Sequence, residues 1–222
     1  MIGRSNGAPV SITGLGTYAP ERVLTNDELA ELVDTTDEWI TERTGIKERR
    51  IAAPEQAMTD LALPASLMAL ERAGVDAEEI DLIIVATVTP NMMFPTTASL
   101  LADLLPAPKA AAYDLLAGCT GFVYALAQGH AMVSAGLSKK ALVVGGDVLS
   151  KILDWTDRST LVLFGDGAGA VVLERVGEGG FEGFELGADG GGGEHLWLPG
   201  SGSRTFEDAD RLVKMNGREV FK

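Results

Sequence analysis

One cysteine, Cys119, occurs in the whole chain, inside the run Asp114-Leu-Leu-Ala-Gly-Cys-Thr-Gly-Phe-Val-Tyr-Ala125. The apolar residues before it read as a strand, the small residues as a turn, and the segment after it as a long helix, which predicts the thiol at a helix N-terminus. Free backbone N–H groups and the positive end of the helix dipole favour negative charge there, and so favour the nucleophilic form of the sulfur. Trp39 and Arg43 are a second chemical grouping: four apart, they share a helix face and set a flat ring beside a guanidinium. Such a pair suits a nucleobase and a phosphate, and it equally suits a cation–π pair at the surface. Lys47, Arg49 and Arg50 follow as the one concentrated basic patch of a chain whose formal charge is −14. His130 lies on the same predicted helix as Cys119, roughly 16 Å along its axis, out of reach as a base, and is read as structural. His195 falls in a glycine-rich stretch and is read as a loop residue.

The elements that must position these residues follow from pattern. Residues 10–16 alternate apolar and small side chains as a first strand does. Gly14-Leu-Gly-Thr-Tyr-Ala19 matches a loose dinucleotide fingerprint, but Pro20-Glu-Arg-Val follows where that fingerprint needs a helix, so the stretch is read as a turn. Thr25-Asn-Asp-Glu28 is a capping box ahead of one short helix; Thr35-Thr-Asp-Glu38 opens a second, which Gly45 closes in a left-handed conformation. Apolar stripes predict helices over 58–73 and 97–105. The unbroken runs at 82–88 and 140–149 predict strands buried on both faces. Residues 90–95 form a loop with an apolar tip. The helix after Cys119 is apolar or small nearly all round, which predicts a central, buried helix. In Phe164-Gly-Asp-Gly-Ala-Gly169 the glycines lead into a strand over 170–176, so they are assigned to close backbone packing near a site. Alternation of strands and helices predicts a layered α/β protein with a largely parallel sheet.

Composition narrows the function classes. The negative charge excludes general nucleic-acid binding, whose sequence-independent part needs Lys and Arg. A lone cysteine forms no internal disulfide, which points to a reducing cytoplasm. The first nine residues hold no apolar core of signal-peptide length and are read as a flexible N-terminus. No apolar stretch reaches the roughly 18 residues of a membrane span.

Several motifs in order, Gly14-Leu-Gly-Thr-Tyr-Ala-Pro20, Asp34-Thr-Thr-Asp-Glu-Trp-Ile-Thr-Glu-Arg-Thr-Gly-Ile-Lys-Glu-Arg49, Gly118-Cys-Thr-Gly-Phe122, Thr156-Asp-Arg158 and Phe164-Gly-Asp-Gly-Ala-Gly-Ala170, together resemble β-ketoacyl-acyl-carrier-protein synthase III. The resemblance runs from about residue 10 to 222. It implies a thiolase-like α-β-α-β-α layered fold, with a complete first half over 10–177 and the start of a second, incomplete half over 178–222. It implies a cytoplasmic acyltransferase, commonly a homodimer, that begins fatty-acid synthesis: an acyl-CoA loads Cys119, and malonyl-acyl carrier protein then loses CO2 and attacks the thioester. Trp39 and Arg158 match the residues that sandwich the CoA adenine, Arg43 and Thr35 match others at the nucleotide end, and Met215, Gly217 and Phe221 fall in a segment similar to one lining the pantetheine tunnel. Phe94 matches an apolar residue lent to the partner subunit's acyl pocket. Neither a metal nor a prosthetic group is implied, and neither a membrane nor a nucleic acid is a partner. Lys47, Arg49 and Arg50 are the candidate docking patch for the acidic carrier. Two departures stand out: threonine follows Cys119 where alanine is frequent, and the histidine and asparagine that polarise the malonyl thioester in the family have no match. Two other readings share these residues: another thiolase-fold acyltransferase, of chalcone-synthase or hydroxymethylglutaryl-CoA-synthase type, and a non-catalytic acyl-CoA-binding half-protein.

Overall fold

Leu82-Ile-Ile-Val-Ala86 is apolar at every position and forms a strand whose residues are all buried, as a strand covered on both faces requires. The computed structural model describes residues 2–4 (main chain), 7–200, 202–204, 206 and 211–222. In chain order the elements begin β1 (Ile2–Arg4), β2 (Val10–Tyr18), β3 (Arg22–Thr25), α1 (Asn26–Ala30), α2 (Asp37–Thr44), β4 (Glu48–Ile51) and α3 (Met58–Ala73). They continue with β5 (Leu82–Ala86), α4 (Thr97–Leu104), β6 (Ala111–Leu115), α5 (Gly121–Ala135) and β7 (Lys140–Val148). The last are α6 (Arg158–Leu161), β8 (Asp166–Arg175), β9 (Gly183–Glu185), β10 (Leu196–Trp197), β11 (Lys214–Met215) and α7 (Gly217–Val220). None of the helices among the described residues is long and apolar enough to cross a membrane.

The chain forms two units, one from Met1–Pro20, Ala53–Asp147 and Gly167–Gly187, the other from Glu21–Ala52, Val148–Asp166 and Ala188–Lys222. The first is built on a five-stranded sheet in the order β2-β8-β7-β5-β6. β5 runs parallel to β6 and to β7, with Leu82 opposite Ala111 on one side and Ala141 on the other. β2 runs antiparallel to β8, so the sheet is mixed where alternation predicted a largely parallel one. Alternation reports which elements exist; direction depends on which strand a chain end reaches, and β2 pairs with a strand more than 150 residues later, Val10 facing Arg175.

Gly14 and Gly16, which the fingerprint reading could not use, are explained by packing. Both lie on the β2 face that meets α3, and a Cβ on Gly16 would sit 2.0 Å from the Ala65 carbonyl oxygen, one on Gly14 2.1 Å from that of Ala69. Helix backbone thus rests directly on strand backbone. On the sheet, α5 packs Ala125 and Val133 among Leu82, Ile84, Val143, Val171 and Leu173. Its remaining side differs from the buried helix predicted: Val123 is 44% exposed.

The second unit gathers Leu24, Leu29, Ile40, Ile51, Leu153, Leu161 and Val162 around the β3–β4 hairpin. The Thr25 box forms as predicted, with Glu28 N donating to Thr25 Oγ1 at 3.2 Å and Thr25 N to Glu28 Oε2 at 2.9 Å. α2 is capped by Thr36, one residue beyond Thr35, and Gly45 ends it at φ 73°. The predicted basic patch needs correction. Along β4 Glu48 is exposed, Arg49 is buried at 6% exposure and Arg50 is partly exposed, while Lys47, exposed, precedes the strand. Arg49 and Arg50, neighbours on one strand, fall on opposite faces because strand side chains alternate, so the three basic residues do not make one exposed patch.

The α3–β2 contact gives the first prediction. Gly16→Ala should cost about 2–3 kcal/mol through overpacking against backbone that has no rotamer with which to yield, measured as a lowered midpoint in urea. An unchanged midpoint would contradict the contact.

Candidate active site

Parallel strands leave their carboxyl ends along one edge, where α/β proteins place ligands. In the first unit Cys119 follows β6 at that edge, in a single 3-10 turn, Gly118–Thr120, that runs straight into α5. It therefore stands just ahead of the helix rather than in its first turn. Gly118 takes φ +57°, a left-handed conformation that aims the turn. The thiol is exposed. Thr120, at the N-cap position of α5, makes no side-chain cap; its hydroxyl donates to the Ala117 carbonyl at 3.1 Å. The N–H of Gly121, the first residue of α5, donates to the Gly118 carbonyl, so the 3-10 turn passes into the helix with no side chain as its cap.

Cys119 lines a cavity of about 260 Å³ with Ala86, Phe122, Gly145, Gly146 and Asp147 among its other walls. Asp147 is the residue that sequence reasoning missed. Its Oδ1 accepts from Thr87 Oγ1 at 2.9 Å, Val88 N at 2.8 Å, Thr89 N at 3.2 Å and Thr89 Oγ1 at 3.0 Å, gathering the chain as it leaves β5. Asp114 does the same at the head of α4, accepting from Thr97 N at 2.8 Å and Ala98 N at 2.7 Å. Between these anchors Asn91 is tied to Thr59, with Asn91 Nδ2 donating to Thr59 Oγ1 at 2.8 Å and Thr59 N to Asn91 Oδ1 at 3.0 Å. The base of the 90–95 loop is held while its tip is open, and Phe94 is 81% exposed.

The second unit brings together Trp39, Arg43 and Arg158. The guanidinium carbons of Arg43 and Arg158 lie 4.5 Å and 4.7 Å from the centre of the Trp39 ring. Arg158 is steadied by donating from Nη1 to the Asp34 carbonyl at 2.7 Å. Beside it, Thr35 Oγ1 is buried and has no hydrogen-bond partner. Two planar cations on one indole make a cluster whose chemistry suits a flat, electron-rich, anionic group. Met215 lies on β11, paired with Leu196 of β10, and Gly217 opens α7. Phe221 follows α7 and is 93% exposed. His195 enters this substructure through its main chain, its carbonyl accepting from Asn216 N at 2.7 Å.

His130, in the first unit, is buried with its ring 5.5 Å from Phe181 and 5.4 Å from Phe184. Burial pushes its pKa below the ordinary histidine value of 6.5. A buried imidazole held neutral is protonated more readily in the unfolded chain, so stability falls as pH drops through the unfolded value and levels below the folded one. Thermal unfolding should occur at lower temperature at about pH 5.5 than at about pH 7.5, and His130→Leu should remove part of that slope. A slope identical in the variant would show that His130 does not contribute.

Similarity to known proteins is extensive. The family model for 3-oxoacyl-[acyl-carrier-protein (ACP)] synthase III matches residues 113–190, which include Cys119. A β-ketoacyl-[acyl-carrier-protein] synthase III of Desulfitobacterium hafniense is 53% identical over 220 residues, covering 96% of this chain and 66% of that protein. One of Symbiobacterium thermophilum is 52% identical over 221 residues, covering 96% of this chain and 67% of that one. The crystal structure of the Thermus thermophilus synthase III superposes with a TM-score of 0.88 at 52% identity, over 95% of this chain and 66% of that one. The chain thus spans about two thirds of the length of the relatives it matches.

Proposed function

The chain belongs to the β-ketoacyl-[acyl-carrier-protein] synthase III family, whose thiolase-like fold it shares, and on that footing we propose that it starts fatty-acid synthesis by condensing an acyl-CoA primer with malonyl-acyl carrier protein. The observation that carries the reading is Cys119 on the wall of a cavity, in the 3-10 turn that leads into the N-terminus of α5. In the loading step the Cys119 sulfur adds to the thioester carbonyl, the carbonyl oxygen takes up negative charge, and collapse expels the CoA thiolate to leave acyl-Cys119. The positive end of the α5 dipole, just beyond Cys119, favours that oxyanion. In the condensing step the malonyl thioester loses CO2, its carbanion attacks the acyl thioester, and the Cys119 thiolate leaves.

The nucleotide end of CoA is assigned to Trp39, Arg43, Arg158 and Thr35. Arg158 touches the Trp39 ring at 4.7 Å, so a base that inserts between them first moves the guanidinium aside. The hydroxyl of Thr35 is buried and unpartnered, so it can bond the base only where the ligand's entry opens a way to it. Met215, Gly217 and Phe221 are assigned to the pantetheine arm. Phe94, at an exposed loop tip, is assigned to the acyl pocket of a second copy in a homodimer. The carrier is assigned to Lys47 and Arg50, since the burial of Arg49 removes it from any docking patch. The histidine and asparagine that would polarise the malonyl thioester are not supplied by His130 or His195: the first packs between phenylalanine rings and the second holds a hairpin by its carbonyl. These residues therefore account for primer loading, and the reading needs no prosthetic group and a cytoplasmic setting.

Incubation with acetyl-CoA should add one acetyl group to the intact mass, located on Cys119 and missing from Cys119→Ala. Trp39→Ala should raise the acetyl-CoA concentration for half-maximal loading about ten-fold, the loss of one stacking contact. A protein that gains no acyl group at Cys119 would end the proposal.

A further inference from the structure

Arg49 is a buried cation that pairs with no carboxylate among the described residues. Among the described residues its partners are neutral: Nη1 donates to the Leu24 carbonyl at 3.2 Å and to Asn26 Oδ1 at 2.9 Å, and Nη2 donates to the Val162 carbonyl at 3.1 Å. Its Nε is buried without a partner. As a device for stability this is a poor choice, because burying a charge is costly and an apolar side chain of similar volume fills such a space at least as well. A guanidinium does what no apolar side chain can: it holds several acceptors at fixed separation and angle.

Those acceptors belong to the two sides of the Trp39 clasp. Asn26, itself buried, passes the connection on, since its Nδ2 donates to Asp37 Oδ1 at 2.8 Å and to the Ile46 carbonyl at 2.8 Å. Asp37 is the first residue of α2 and Ile46 follows its C-cap, so Asn26 grips both ends of the helix that carries Trp39 and Arg43. Val162 is the C-cap of α6, the single turn that begins with Arg158. One guanidinium therefore ties the element bearing the ring to the element bearing the opposing cation. The backbone beside it is close-set, for a Cβ on Gly165 would lie 3.0 Å from the Cβ of Arg49. Arg49 thus sits in a space that lets it move little.

We propose that Arg49 is a positioning residue for the nucleotide clasp, fixing the separation of Trp39 and Arg158 and so the affinity for the nucleotide end of an acyl-CoA. This rests on the reading of Trp39, Arg43 and Arg158 as the CoA nucleotide site, and the test separates the two. CoA binding is measured by calorimetry for the wild type, Arg49→Met and Arg49→Lys, with folding checked by circular dichroism. Acylation of Cys119 is timed by intact mass with acetyl-CoA and with the acetyl thioester of N-acetylcysteamine, which has no nucleotide.

Arg49→Met should bind CoA about ten-fold more weakly and load from subsaturating acetyl-CoA more slowly by the same factor. Loading from the nucleotide-free thioester should stay within about two-fold of wild type, a split that general loosening of the protein would not produce. Arg49→Lys keeps the charge and loses the fork, and should recover only part of the affinity. If Arg49→Met does not fold, the same split in Arg49→Lys carries the test. Unchanged CoA affinity in the folded variants, or equal slowing with both thioesters, would overturn the role given to Arg49. Absence of CoA binding in the wild type would instead overturn the clasp reading beneath it.

Discussion

Parallel pairing of β5 with β6 and β7 is the constraint from which the first unit follows. Parallel strands all finish on the same edge, and where they finish the backbone loses its ladder partners and must find others. Carboxylates meet that need: Asp147 collects the amides and hydroxyls of the chain leaving β5, and Asp114 collects the first amides of α4. Chain turns held in this way leave room between them. The cavity beside Cys119 is lined by the ends of these strands and by glycines of β7, which keep its walls short of side chains.

The second unit is organised differently. Its apolar cluster is small, and much of its definition comes from buried polar groups. Asp166 accepts from Ala52 N at 2.7 Å, Ser150 N at 2.8 Å and Ser150 Oγ at 2.6 Å, joining the end of β4 to the start of β8. Arg49 and Asn26 do the corresponding work around α2 and α6. Apolar contacts tolerate small slips, whereas hydrogen bonds lose strength steeply with angle, so the placement of α2 and α6 is better defined by the second kind. Of the two cations on Trp39, Arg158 is held by such a bond, to the Asp34 carbonyl at 2.7 Å.

Glycines illustrate how one sequence feature divides by context. Gly14 and Gly16 resemble a nucleotide loop in spacing, yet they serve the seating of α3 on β2. A strand places every second residue on one face, so a pair of glycines two apart marks a flat track for a helix as readily as a loop for a phosphate. The next element along the chain, a helix or not, separates the two cases, and Pro20 already excluded the second.

By itself the sequence determined the elements and the residues able to do chemistry. Capping at Thr25, the left-handed stop at Gly45, the buried run of β5 and the turn that presents Cys119 are local consequences of side-chain shape and hydrogen bonding, legible within a few residues. Only the tertiary structure decided strand direction and the open face of α5, because each depends on segments far apart in the chain; the meeting of Arg158 with Trp39 was implied by resemblance and by no local pattern. It also decided the fate of Arg49. Charge predicts exposure from residue type alone, but strand alternation and a ring of carbonyl acceptors from distant segments turned that cation inward, and no local pattern records where acceptors from elsewhere will converge.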